Sequence, residues 1–154
     1  MTGARRLAAT GVLAALLLVT AGCGHQGESD DPDAGGGQGA ADTATCLADA
    51  HPVGDFPAGY PQDFPLPDGT VVFHVEDRGT EGVVATGVTK SAFPDVLTAL
   101  NAAKSAGFDV TEGETEDHDA EANWTGNGFT GRWAIKESAT CPGETVIQLL
   151  SKKI

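Results

Sequence analysis

Across residues 69–154 apolar and polar positions alternate, then repeat at helical spacing, then alternate again. Val71, Phe73 and Val75 fall on one face of a strand, with Val72, His74 and Glu76 on the other. A turn at residues 77–80 leads to a second strand near 82–89, which predicts a hairpin. Ser91 is placed to cap a helix whose Pro94 sits in the first turn, where a missing amide hydrogen costs nothing. Phe93, Val96, Leu97, Leu100 and Ala103 then form one apolar stripe. Gly107 stops the helix and Phe108 to Val110 begins the next strand. Trp124 precedes a turn at residues 125–128, Phe129, Gly131, Trp133 and Ile135 alternate after it, and Val146 to Leu150 closes the pattern. The order is β-β-α-β-β-β, with a further strand less distinct around residues 117–124. One helix packed on one face of an antiparallel sheet buries both patterns, so the expected fold is α+β.

The chain ahead of this region has a different texture. Prolines at 52, 57, 61, 65 and 67 forbid regular helix and central strand over residues 46–68, yet Phe56, Tyr60, Phe64 and Leu66 offer apolar anchors. The pattern predicts an extended arm laid over the domain, with a ligand groove lined by those aromatics as the alternative reading. Residues 46–154 thus form one small domain. Residues 24–45 hold six glycines and five acids and no aromatic or large aliphatic side chain, too little apolar surface to offset the entropy of ordering the backbone. With Cys23 they read as a flexible tether.

At the start, Arg5 and Arg6 precede an apolar run from Leu7 to Val19, and small residues follow. This is the charged, apolar and small-residue sequence of an export signal. Thirteen helical residues reach only ~20 Å, short of the ~30 Å hydrocarbon core, which argues against a permanent span. Thr20, Ala21, Gly22 and Cys23 resemble the lipobox of bacterial lipoprotein signals. The resemblance implies cleavage after residue 22, acylation of Cys23, and a protein held on the extracytoplasmic side of the cell membrane. Acylating Cys23 leaves Cys46 and Cys141 as the remaining two of three cysteines, which in an oxidising compartment are expected to pair. A pair so distant in sequence reads as a staple rather than a redox Cys-X-X-Cys.

Charge narrows the partners. The chain has nine basic and 22 acidic residues, a formal net charge of −13, and no Lys or Arg between Arg6 and Arg78. A nucleic-acid backbone would be repelled by such a surface, so no nucleic-acid partner is expected. Anionic headgroups are repelled too, so membrane affinity has to come from the lipid on Cys23.

Candidate chemistry is sparse. Hydrolase, zinc-protease, phosphate-loop and calcium-loop motifs do not occur in the sequence, and no cofactor is implied. The acidic segment 112–121 offers oxygen and imidazole donors for calcium or zinc, with Glu114, Glu116 and His118 on one side of an extended chain and Asp117, Asp119 and Glu121 on the other. The competing reading is a solvated edge whose like charges block strand pairing. His74 beside Glu76 is a local acid–base pair on a strand, the basis of a hydrolase alternative. Trp124 and Trp133 either pack in the core across their hairpin or, if exposed, form a platform for a partner. The function most consistent with these features is a non-enzymatic binding module of the cell envelope, engaging a protein or small ligand; a divalent-cation module is the alternative.

Overall fold

The structure, a computed structural model, describes residues 45–154. The leader, Cys23 and the tether up to Ala44 lie outside the described residues. Strands β1 (Val71–Asp77), β2 (Val83–Thr89), β3 (Phe108–Thr115), β4 (Asp119–Gly126), β5 (Phe129–Glu137) and β6 (Thr145–Lys153) build one antiparallel sheet in the order β1-β2-β6-β5-β4-β3. Helix α1 (Phe93–Asn101) follows β2 and carries the chain across one face to the far edge, extended by a 3-10 turn over Ala103–Ala106. The fold is α+β, a helix on an antiparallel sheet. The indistinct segment around residues 117–124 is a full strand, β4, so the sheet has six strands rather than five.

Two local readings are corrected. The helix is capped by Ala92, without a side-chain hydrogen bond. Ser91 is occupied elsewhere: its amide donates to Thr89 Oγ1 at 3.2 Å and its carbonyl accepts from Thr145 Oγ1 at 2.9 Å, tying the helix entrance to β6. In β1 the register slips between Val72 and His74, a bulge that places an extra residue in the strand. Val72 and Val75, opposite Gly87 and Ala85, therefore share the core face, and the simple alternation of Val71, Phe73 and Val75 is broken.

The core fills the space between α1 and the sheet. Phe93, Val96, Leu100 and Ala103 project onto Val83, Ala85, Ile147, Leu149, Ile135 and Trp133. Leu100 and Val96 are fully buried, each stabilising the fold by roughly 1.5–3 kcal/mol relative to exposure. At the far end Trp124 packs edge-on to Phe108, centroids 5.5 Å apart, and both lie against Phe64 of the arm at 4.9 and 5.0 Å. Gly131 stands opposite Trp124 in the register, and a Cβ there would come within 2.6 Å of the indole Cζ2. The tight turn between β4 and β5 is Asn127–Gly128, both at positive φ (48° and 82°), the two-residue connection that matches sheet twist.

The arm is part of the core rather than a layer over it. Tyr60 and Phe64 are buried, and Phe56 stacks on Tyr60 at 4.3 Å. Burial pushes the Tyr60 phenol above its ordinary value, because the phenolate would lose its hydration. Val53 donates its amide to the Val72 carbonyl at 2.9 Å, Ser151 Oγ donates to the Gly59 carbonyl at 2.8 Å, and Asn127 Nδ2 donates to Asp63 Oδ2 at 2.7 Å. Cys46 is joined to Cys141 in the β5–β6 loop, Cα atoms 5.6 Å apart, within the range disulfides adopt.

Candidate functional site

Strand parity separates two faces. Residues paired with Ile147, Leu149, Trp133 and Ile135 face the helix, so Thr86, Gln148, Ala134 and Glu121 line one row of the opposite face. Toward the β3 edge this second face becomes polar. Glu121 stands opposite Ala134, and Arg132 opposite Asn123, one step along; the diagonal brings the Arg132 guanidinium onto the Glu121 carboxylate. Their side chains are 27% and 16% exposed, so the pair is shielded from water and its attraction is less screened than at an open surface.

A cleft of about 320 Å³ opens over this pair, bordered by Glu112, Glu114, Asn123 and Gly113. Beside it the β3 register slips between Val110 and Gly113, and Gly113 pairs with core-facing Ala122, where a Cβ would come within 2.6 Å of the Ala122 Cβ. Glu114 lies directly across from Glu121, a like-charge pair that costs stability unless a cation intervenes. The second oxygen of Glu121 is buried and has no hydrogen-bond partner among the described residues. One guanidinium thus faces three carboxylates, which leaves the cleft negative and suited to a cationic group.

The other candidates resolve differently. Glu114, Glu116 and His118 form no cluster of donors within 4.8 Å among the described residues; His118 Nδ1 instead meets Glu137 Oε2 at 2.9 Å. Among the described residues the group of three donors within 4.8 Å is Cys46, Cys141 and Glu144, whose sulfurs are bonded to each other. The segment behaves as the solvated border of edge strand β3 and its hairpin. Glu76 pairs with Arg78 Nη2 at 2.8 Å, and that hydrogen bond chiefly holds its carboxyl below the ordinary value, with His74 a smaller contributor. Trp124 and Trp133 are each 1% exposed; a platform for a partner is therefore ruled out and both belong to the core. They are not cross-strand partners either, since Trp124 faces Gly131 and Trp133 faces Ala122. The arm aromatics do border a shallow groove of about 460 Å³ with Leu66 and Pro67, although Tyr60 and Phe64 are mainly packed inward.

The Glu121–Arg132 pair was missed in the sequence because its members are eleven positions apart and only the β4–β5 register joins them. The Asn127–Gly128 turn was its one sequence clue, since a two-residue turn sets that register. No protein-family model, curated protein or solved structure matches the chain.

Proposed function

We propose that the chain is an extracytoplasmic lipoprotein, held to the cell membrane through acylated Cys23, whose domain is a non-enzymatic binding module at the envelope. Cysteine pairing carries this reading. With Cys46 joined to Cys141, Cys23 is the one cysteine of three outside the staple, and it stands where an apolar leader ends in small residues.

The cleft over Glu121 and Arg132 is the binding surface in this proposal, and its charge selects a cationic group on a protein partner or small ligand. A C23A variant tests the anchor: it moves from the membrane fraction to the soluble extracytoplasmic fraction, and continued membrane retention overturns the reading. Affinity capture from detergent-solubilised membranes tests the binding role. The wild-type domain retains a specific partner that an E112Q/E114Q variant loses; retention that is unchanged by those substitutions removes the cleft from the proposal.

A further inference from the structure

The turn Cys141-Pro142-Gly143-Glu144 folds back on itself, with Gly143 at φ 84° and the Glu144 amide donating to the Cys141 carbonyl at 3.1 Å. This turn delivers the Glu144 carboxylate to the disulfide. One of its oxygens accepts the Leu47 amide, adjacent to Cys46, at 2.7 Å, and a carboxylate oxygen and both sulfurs lie within 4.8 Å of one another. The carboxylate is therefore fixed from both sides of the staple. The cleft beside it, about 300 Å³, is bordered by Glu137, Glu144, Ser138, Phe93 and Pro142 and, among the described residues, by no basic side chain.

We propose that Glu144 is an electrostatic guard of the Cys46–Cys141 staple, rejecting anionic thiols while leaving the bond open to thiols that carry positive charge. The chemistry that it governs is thiol exchange. A thiolate attacks one disulfide sulfur, a new sulfur–sulfur bond forms, and the other cysteine leaves as a thiolate. Cys141 is 5% exposed whereas Cys46 is half-buried, so attack falls on Cys46 and Cys141 departs. A second thiolate then attacks the external sulfur of the mixed disulfide, releasing the Cys46 thiolate and the oxidised external disulfide. In the first step the incoming negative charge approaches the Glu144 carboxylate and is passed on to Cys141 as it leaves. Both the approach and the transfer are disfavoured by a fixed anion at this distance. A cationic group on the attacking thiol reverses the first penalty. The guard concerns the staple alone and stands whether or not Cys23 is acylated.

The test compares reduction rates of the full chain in detergent, followed by alkylation and gel shift, for three monothiols corrected to equal thiolate concentration: 2-mercaptoethanesulfonate, 2-mercaptoethanol and cysteamine. In the E144Q variant the amide oxygen still accepts from Leu47, and the rate with the sulfonate rises about tenfold, with mercaptoethanol less, and with cysteamine by about twofold at most. A uniform acceleration with all three reagents would mean a loosened turn and overturn the proposal, as would no change. The wild-type protein supplies a measurement independent of the variant: added salt speeds reduction by the sulfonate and slows it by cysteamine relative to mercaptoethanol. Salt-insensitive rate ratios overturn the proposal as well.

Discussion

The sheet has two edges, β1 and β3, and they are protected in opposite ways. β1 carries Val71, Val72, Phe73 and Val75, and the arm runs beside it, Val53 pairing with Val72 before the chain turns toward the core through Tyr60 and Phe64. β3 carries Asp109, Glu112 and Glu114, has β4 as its one strand neighbour, and is exposed over most of its length. An apolar edge left open invites pairing with another chain, so it is covered; an acidic edge is kept apart by charge. Each edge also has a bulge, between Val72 and His74 on one side and between Val110 and Gly113 on the other. At the covered edge the bulge turns valines inward, while at the open edge it lies beside a cleft. Equivalent places in the sheet have become a joint and a surface.

Removing the staple breaks this contrast most severely. Replacing both Cys46 and Cys141 by serine frees a loop with a sequence separation of 95 residues and costs about 5 kcal/mol on the chain-entropy account. Chemical denaturation reads the loss, and hydrogen exchange locates its first opening at the Val53 amide beside β1, with β3 and β4 little changed. Next in size is F64A, which takes the arm's aromatic from its seat against Trp124 and Phe108 and destabilises by about 3 kcal/mol. A cost under about 1 kcal/mol would show the arm to be an overlay and not core.

At the other edge R132Q leaves Glu121 shielded and facing Glu114 without its counter-charge, at a cost of about 2 kcal/mol. Adding E121Q recovers part of that loss, a coupling read from the double-mutant cycle. The smallest effect on stability comes from E112T/E114T, which changes it by less than about 0.5 kcal/mol. Its consequence is association: sedimentation velocity shows self-pairing that the wild-type chain resists, because the charge at β3 is gone.

Much of the fold was legible because it rests on period. The helical stripe through Phe93, Val96 and Leu100 and the alternation through Trp133 and Ile135 appear as expected, while the turn expected over residues 125–128 narrows to Asn127–Gly128 and the helix gives way to a 3-10 turn at Ala103. β4 was harder, because its core-facing positions are Ala120, Ala122 and Trp124, and two small residues set among Asp119, Glu121 and Asn123 give little apolar contrast. The β1 bulge leaves no mark in an alternating string, which groups Phe73 with Val71 and Val75, whereas the register joins Val72 and Val75. Ser91 fits a cap by residue type, yet Thr89 and Thr145 claim its backbone, and Thr145 lies 54 residues away. The candidate site was the least legible part. Glu121, Arg132 and the shape over Gly113 depend on register across three strands, and Glu144 reaches the disulfide through a turn whose significance depends on where Cys46 lands.

The proposal that joins these features is a domain displayed from a membrane by its own first cysteine. Intact-mass analysis of the protein extracted from the membrane fraction tests it most directly. The account predicts a chain beginning at Cys23, heavier than its polypeptide by an attached lipid, with Cys46 and Cys141 oxidised to each other. A membrane-associated chain that begins elsewhere, or that carries an unmodified Cys23, would contradict it.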